Sequence, residues 1–179
     1  MEPLAERLRG HTVMDAIFYA ASGAAEHGAV WQLLSWSQWW RGKRTAALRA
    51  SGGLAAESLV VNGLLKSLTR RSRPTGQLEH RFPLRRPVTG SFPSGHASSA
   101  AFAVVVLAES DPLWPVYLAA GCLVAWSRVH VRLHHPSDVL AGAAVGTLLG
   151  ALVRTLFPLD GRARRPDGID RQAEGLEQA

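Results

Sequence analysis

Residues 12–25 carry the first clear hydrophobic pattern of the chain. As a helix, this segment has one apolar face, formed by Val13, Met14, Ile17, Phe18, Ala21 and Ala25. Asp15 falls outside that face. An amphipathic pattern with this period is typical of a helix at an interface. We therefore expect residues 1–26 to form an N-terminal segment with an amphipathic interfacial helix.

Tryptophans and basic residues mark the next stretch. Residues 28–40 contain Trp31, Trp36, Trp39 and Trp40. Basic side chains follow directly, at Arg41, Lys43 and Arg44. Tryptophan beside basic residues is favoured at a membrane–water boundary, and a buried aromatic cluster is the alternative interpretation.

Apolar segments rich in Ala, Leu, Val and Gly follow. They cover residues 46–65, 97–109, 113–127 and 138–157. Each has about 12 to 16 uncharged residues, fewer than the ~20 that a perpendicular membrane span needs. Their uncharged faces and short connections together predict an all-α fold. We expect a polytopic membrane bundle of about five to six helices within residues 27–157.

Glycines recur at four-residue spacing in the last apolar segment, at positions 142, 146 and 150. In a helix each glycine costs about 1 kcal/mol relative to alanine. A ridge of small residues compensates for this cost when it lets a neighbouring helix approach closely. The spacing therefore predicts close helix packing along this ridge.

The order of the apolar segments predicts which connections meet. If the segments cross the membrane in turn, residues 66–95 and 128–137 emerge on the same side. Residues 110–112 and the C-terminal tail then lie on the other side. Residues 158–179 lack apolar periodicity, so we expect a flexible tail.

The composition indicates an acidic binding partner but does not identify which kind. The formal charge is +6 and the isoelectric point is near 10.6, which favours an acidic partner such as a phosphate compound, nucleic acid or anionic membrane. The single cysteine, Cys122, lies in an apolar run and is expected to be a small buried side chain that forms no internal disulfide. No apolar stretch precedes residue 12, so we expect no cleavable signal peptide.

The chemistry is concentrated in the two connections expected on the same side. Three polar clusters lie there: KSLTRRSRP at 66–74, PSGH at 93–96 and SRVHVRLHHPSD at 127–138. Cationic side chains from two of the clusters suit a phosphate and its transition state, because guanidinium groups match phosphate oxygens in bidentate geometry. These cations are Lys66, Arg73 and Arg128. We expect a phosphate-binding active site at the membrane–water interface.

Histidines supply the candidate catalytic groups. His134 and Asp138 are spaced to lie on adjacent turns of a helix, where the carboxylate could accept a hydrogen bond from one ring nitrogen. The other nitrogen would then be free to act as a nucleophile. Ser94 and Gly95 precede an apolar run and could offer hydroxyl and backbone donors at a helix N-terminus. His96 is the candidate acid for the leaving oxygen.

These clusters resemble the signature of a known family. The ordered motifs KxxxxxxRP, PSGH and SRxxxxxHxxxD are similar to those of the phosphatidic acid phosphatase type 2 superfamily, which includes bacterial acid phosphatases and vanadium haloperoxidases. Every defining position is filled between residues 66 and 138. The resemblance implies a metal-independent reaction without a cofactor, in which His134 attacks phosphorus, Asp138 orients it and His96 protonates the leaving group.

The resemblance also implies the remaining roles and the partners. The phosphoryl oxygens would be held by Lys66, Arg73, Ser94, the Gly95 amide and Arg128. Water activated by His96 would then hydrolyse a phosphohistidine, with a bell-shaped pH profile. We expect lipid phosphates and membrane lipids as partners, not nucleic acid. The protein would be an integral membrane protein of a bacterial plasma membrane; neither the side of the active site nor the oligomeric state follows from the sequence.

Several alternatives remain open from the sequence. The leading substrates are polyprenyl phosphates or diphosphates, decaprenylphosphoryl phosphoribose, phosphatidylglycerophosphate and phosphatidate. A soluble-type acid phosphatase, a haloperoxidase or a catalytically silent membrane interaction protein would fit the same scaffold. A metal site from His130, His134 and His135 is possible by ligand type, but the phosphate-binding cations disfavour it.

Other polar residues are expected to play supporting roles. Glu57 and Asn62 lie within an apolar segment, where an internal hydrogen bond is the favoured interpretation. The remaining arginines of the long connection are expected at a solvated or headgroup-contacting surface; they are Arg70, Arg71, Arg81, Arg85 and Arg86.

Overall fold

The computed structural model describes residues 2–69, 71–74 and 89–159. Every regular element within these ranges is helical, which confirms the all-α prediction. The α-helices are α1 (Glu2–Leu8), α2 (Thr12–Ala24), α3 (Ala29–Trp40), α4 (Arg44–Ser58), α5 (Lys66–Leu68), α6 (Gly95–Leu107), α7 (Trp114–His130) and α8 (Pro136–Leu156). Four of them contain most of the apolar segments seen in the sequence.

Two departures from regular α-helix lie near polar residues. A π-helical stretch, Leu59–Leu65, joins α4 to α5 in one continuous path. Such stretches are rare and are often found at functional sites. A 3₁₀ turn, Glu26–Gly28, connects α2 to α3, and His27 and Gly28 there have positive φ angles of 56° and 72°. These left-handed residues turn the chain sharply between the two helices.

Helix α6 forms the centre of the molecule and packs against α4, α7 and α8. Its contact with α8 is very close: a Cβ atom at Gly146 would lie 2.0 Å from the Ser98 carbonyl oxygen, and one at Gly142 would lie 2.3 Å from that of Ser94. Only glycine permits this approach. The close packing predicted from the glycine spacing is confirmed.

Large apolar side chains are exposed on the outside of the bundle. Large hydrophobic side chains are exposed along α8, at Leu140, Leu148, Leu152 and Leu156. Within the described ranges, α8 is the one helix long and apolar enough to cross a membrane, and α6 is apolar but shorter. The predicted number of membrane-crossing helices stays a prediction, as does the domain boundary at residue 26.

The N-terminal amphipathic helix differs from its predicted orientation. Val13 and Ile17 are exposed as expected, but Phe18 is buried and so is Asp15. The reason is a buried pair: an Asp15 carboxylate oxygen lies 2.7 Å from His130 Nε2, and the Phe18 ring stacks on the same imidazole. Because this pair draws α2 onto α7, the apolar face is only partly exposed.

The packing of the helices decides which tryptophans are buried and whether Cys122 is. Trp31 is fully buried, whereas Trp36 and Trp40 are exposed. The tryptophans of this stretch therefore lie partly in the core and partly on the outer surface. Cys122 is exposed, so the prediction that it is buried is wrong. The buried face of α7 carries Tyr117, and Cys122 points away from it.

The predicted arrangement of the connections is confirmed for the described residues. At one end, the Ser94 amide donates to the Asp138 carbonyl oxygen at 2.9 Å, which joins the two connections expected on the same side. At the other end, Arg49 contacts Glu109 and donates to the Phe157 carbonyl oxygen at 3.0 Å. The segment 75–88 and the tail from 160 lie outside the described residues, as do Arg70, Arg81, Arg85 and Arg86.

Candidate active site

A cavity of about 770 Å³ lies at the end where the two connections meet. Residues from α4, the π-helical stretch, α6, α7 and the Glu26–Gly28 turn all border it. Its lining includes Lys66, Arg73, Gly95, His96, Arg128 and His134, which are six of the predicted site residues. Ser94 and Asp138, the other two, are fully buried behind this wall.

Arg73 ties the two connections together at the cavity wall. Its guanidinium donates to the Leu133 carbonyl oxygen at 2.7 Å and to the Thr89 and Gly90 carbonyl oxygens at 3.2 Å. The same group lies 3.3 Å from His134 Nε2. These bonds fix the guanidinium in place, so that it presents its charge beside the imidazole.

The His134 ring is oriented by a backbone carbonyl. Its Nδ1 lies 2.7 Å from the Ser91 carbonyl oxygen. Because a carbonyl oxygen can only accept, Nδ1 is the donor and the lone pair is on Nε2. The prediction that Asp138 accepts this bond is wrong for this structure, since its carboxylate lies 3.8 Å from Nδ1. The reason is that His134 precedes α8, so the pair does not have helical spacing.

The electrostatic surroundings keep His134 neutral. Burial, together with the nearby Arg128, Arg73 and Lys66 cations, lowers the pKa of His134 to about 4, although Asp138 acts in the opposite direction. A neutral imidazole has the lone pair that nucleophilic attack requires. The cavity therefore holds a candidate nucleophile in its reactive protonation state at neutral pH.

Asp138 anchors the N-terminus of α8. One carboxylate oxygen accepts from the His135 amide at 2.9 Å, within a capping box. The other accepts from an Arg71 guanidinium nitrogen at 2.8 Å, and Arg71 also donates to the Ser137 hydroxyl at 2.8 Å. Arg71 is exposed, as predicted, and it also links the first connection to the N-terminus of α8.

The PSGH cluster forms the N-terminus of α6. Ser94 is the N-cap and accepts from the Ala97 amide at 3.4 Å, so its hydroxyl is used within the helix end. A Cβ atom at Gly95 would lie 2.5 Å from the Asn62 side-chain oxygen, so a larger residue would displace Asn62. His96 follows and lines the cavity, and its Nε2 is buried without a hydrogen-bond partner among the described residues.

The PAP2 superfamily model matches residues 46–162, which include all three polar clusters. This is well over half of the chain. The chain belongs to the PAP2 superfamily. The resemblance read from the three motifs is therefore confirmed.

Named relatives of this PAP2 chain act on lipid phosphates. It is 33% identical to the decaprenylphosphoryl-5-phosphoribose phosphatase of Mycobacterium tuberculosis (strain H37Rv) over 129 residues, covering 70% of this chain and 68% of the relative. It is 36% identical to phosphatidylglycerophosphatase B of Bacillus subtilis (strain 168) over 107 residues, covering 53% and 50%.

Solved structures share the fold. The crystal structure of Aquifex aeolicus LpxE superposes with a TM-score of 0.68 at 24% identity, covering 85% of this chain and 91% of that one. A transmembrane PAP2-type phosphatidylglycerolphosphate phosphatase from Bacillus subtilis gives a TM-score of 0.61 at 25% identity, covering 90% and 92%. Together with the family match, these relatives identify the PAP2 chain as a phosphoric monoester hydrolase.

Sequence reasoning missed several features of this PAP2 site. It did not foresee the Ser91 carbonyl, because a backbone acceptor has no residue-type signal. It placed Arg71 at the surface correctly but did not predict its contact with Asp138. His130 pairs with Asp15 and His135 caps α8, so neither joins His134 in the ligand set considered from sequence. No sequence pattern indicated that the Glu26–Gly28 turn lines the cavity.

Proposed function

We propose that this protein is a membrane lipid phosphatase that hydrolyses a terminal phosphate through a phosphohistidine on His134. One observation carries the proposal: three cationic residues converge on an imidazole whose Nδ1 proton is held by the Ser91 carbonyl. This arrangement leaves Nε2 as the nucleophile and surrounds the reacting phosphate with positive charge.

In the first half of the reaction, the Nε2 lone pair attacks phosphorus and the bond from phosphorus to the leaving oxygen breaks. Lys66, Arg73 and Arg128, together with the Gly95 amide, stabilise the charge on the phosphoryl oxygens. His96, which the bound phosphate anion holds in its protonated form, gives its proton to the leaving oxygen, which departs as an alcohol or, from a diphosphate, as a lipid monophosphate. Asp138 stabilises the positive charge that develops on the phosphorylated ring.

In the second half, a water molecule attacks the phosphohistidine. The oxygen–phosphorus bond forms as the bond from phosphorus to Nε2 breaks, and the water proton passes to His96. Inorganic phosphate leaves, and His134 and His96 return to their starting protonation states. No metal ion or cofactor enters the proposed scheme.

The apolar part of the cavity supports a lipid substrate. Leu54, Ala55 and Leu59 line it, and Leu59 is exposed on the outer surface of the bundle. Leu64 and Leu68 continue this exposed apolar surface toward the end of the helix. A lipid chain could therefore lie along α4 and the π-helical stretch while its phosphate enters the cavity from the side.

The proposed substrates are the lipid phosphates considered from the sequence. The relatives named above, a decaprenylphosphoryl-5-phosphoribose phosphatase and a phosphatidylglycerophosphatase, support this range, and an undecaprenyl-diphosphatase of Sulfolobus acidocaldarius is 31% identical over 98 residues. We place the protein in a bacterial plasma membrane, with the active site at the membrane–water interface. The exposed apolar side chains of α8 support this location.

Phosphate release from a panel of lipid phosphates tests the proposal. The purified protein in detergent should release phosphate from at least one member, and His134→Ala should abolish the release. His11→Ala, an exposed histidine outside the cavity, is the matched control and should retain activity. Trapping of ³²P on wild-type protein but not on His134→Ala after acid-free denaturation would support the phosphohistidine, because phosphoimidazole is acid-labile. No release from any substrate would overturn the proposal.

A further inference from the structure

Arg128 is held in the cavity wall by a side chain from α2. This arginine borders the cavity and is 3% exposed. Its guanidinium donates a hydrogen bond to the Ser22 hydroxyl, which is itself buried. Among the residues that the structure describes, Ser22 is the one acceptor for the Arg128 side chain. Because a bonded guanidinium has fewer orientations than a free one, α2 determines how Arg128 faces the cavity.

The two arginines of the site are fixed from different parts of the chain. Arg73 donates to backbone carbonyl oxygens that lie within residues 46–162, the range of the PAP2 match. Ser22 lies before that range, and so does Glu26, which acts electrostatically on Arg128 from the turn after α2. The orientation of Arg128 therefore depends on a segment that the family match does not include.

Helix α2 is itself fixed on α7 directly beside the arginine. Asp15 accepts a hydrogen bond from His130 Nε2 at 2.7 Å, and the Phe18 ring lies 4.5 Å from the same imidazole, between ring centroids. Arg9, which follows α1, donates to the Val129 and His130 carbonyl oxygens at 2.9 Å. These contacts lie within two residues of the arginine, so they set α2 at the height where its serine hydroxyl meets the guanidinium.

The geometry leaves donors of Arg128 for a phosphate. A guanidinium carries five N–H donors in a planar fork, so one nitrogen can donate to Ser22 while others face a ligand. The Nε atom of Arg128 is buried and has no hydrogen-bond partner among the described residues. A buried donor without a partner in a cavity wall indicates a ligand that accepts. Such donors stabilise a transition state best when they are already in place before the reaction.

We propose that Ser22 is a positioning residue that holds the Arg128 guanidinium toward the reacting phosphate, with Asp15 and Phe18 securing α2 on α7. The inference rests on the proposed phosphatase activity and adds a residue to its machinery. The Ser22 hydroxyl lies behind the cavity wall, so it acts through Arg128. Without it, the buried cation loses its partner and takes orientations in which it binds phosphate oxygens less well.

The experiment measures phosphate binding as well as turnover. Inorganic phosphate is titrated into the purified full chain in detergent by ³¹P NMR, and kcat is measured on the best lipid phosphate. Ser22→Ala should weaken phosphate binding and lower kcat, each by about tenfold. Ser35→Ala is the matched control and should stay within about twofold of wild type. It also removes a buried helical hydroxyl, but one outside the cavity lining and without a hydrogen-bond partner among the described residues.

An Arg128→Lys background separates positioning from packing. Lysine keeps the charge but has one nitrogen, which cannot hold Ser22 and present a planar fork to phosphate. In this background Ser22→Ala should change phosphate binding by less than about twofold. An equal loss in both backgrounds would show that the hydroxyl acts through packing, and it would overturn the inference.

Asp15→Asn replaces Ser22→Ala in the same comparison if that variant does not accumulate. It keeps the side-chain size but weakens the pair with His130, and it should weaken phosphate binding by about threefold or more. Its matched control is Glu6→Gln, which removes an exposed carboxylate of α1. Phosphate binding that matches wild type in the variant tested would overturn this inference alone. No lipid phosphate hydrolysis by the wild type would overturn the proposed function, while phosphate binding would still test Ser22.

Discussion

His134 donates its Nδ1 hydrogen bond to the Ser91 carbonyl oxygen at 2.7 Å, so a backbone group from the first connection fixes the tautomer of the candidate nucleophile. The Asp138 carboxylate stands farther away, at 3.8 Å from the same nitrogen. The two groups therefore have separable effects. The carbonyl orients the ring, while the carboxylate contributes charge and holds the start of α8.

Replacement of Asp138 by asparagine should reduce activity less than the loss of a tautomer-fixing group would. Because Ser91 still holds Nδ1–H in Asp138→Asn, we expect kcat to fall by about 10- to 100-fold, from loss of charge stabilisation. A loss near the ~10⁴-fold typical of a misoriented tautomer would contradict this division of roles. The measurement is kcat on the best lipid phosphate, with His11→Ala as a control and thermal unfolding to verify folding.

We expect kcat/KM to stay high at acidic pH, below the ordinary pKa of histidine. Burial and the neighbouring cations lower the pKa of His134 to about 4, against an ordinary value of about 6.5. A base with a lowered pKa stays deprotonated as the pH falls through 6.5, so activity should persist there and decline only toward pH 4. Asp138 raises the pKa of His134, so Asp138→Asn should move this decline to still lower pH. An acid limb centred near pH 6.5 would contradict the assignment of His134 as the nucleophile.

Asp111 should stabilise the opposite end of the bundle in a pH-dependent way. Burial alone would raise the pKa of Asp111, but hydrogen bonds from Arg41, the Leu113 amide and Tyr117 outweigh it and lower the pKa to about 2. A lowered folded-state pKa adds stability above the unfolded value near 3.8, and this stability is lost as the pH falls toward 2.

Asp111→Asn should therefore lower the free energy of unfolding by about 2 kcal/mol at pH 7. The difference from wild type should shrink between about pH 4 and pH 2, because the wild-type carboxylate becomes protonated there. Denaturant unfolding in detergent across this range is the measurement. Glu6→Gln should change stability by less than about 0.5 kcal/mol at either pH. A constant difference at all pH values would show that the charge of Asp111 is not the cause.

A methyl group at Gly146 should disturb the contact between α6 and α8. Its Cβ would lie 2.0 Å from the Ser98 carbonyl oxygen, so the backbones must separate. We expect Gly146→Ala to be destabilised by at least about 1 to 3 kcal/mol. Gly52→Ala is the matched control, because its Cβ would meet nothing within 4 Å and alanine favours the helix. Equal stability of Gly146→Ala and wild type would contradict the close packing.

The sequence by itself determined the helical class, the facing ends of the two connections and the close packing on α8. These features follow from periodicity, from the alternation of apolar segments and from glycine spacing, all of which are local along the chain. The three motifs were equally readable, since the residue types that suit a phosphate lie at recognisable intervals. Local patterns predicted less reliably which side chains face the core. Asp15 is buried and Cys122 is exposed, although the pattern indicated the opposite.

Only the tertiary structure decided which groups surround His134 and what forms the rest of the cavity. The Ser91 carbonyl and the Asp15 pair with His130 join positions far apart in the chain, and a backbone carbonyl carries no residue-type signal. Glu26, from the turn between α2 and α3, and Glu57, from α4, likewise line one cavity. Contacts of this kind depend on how helices pack rather than on the pattern within any one of them, which is why the phosphate-binding residues were predictable and the group that orients His134 was not.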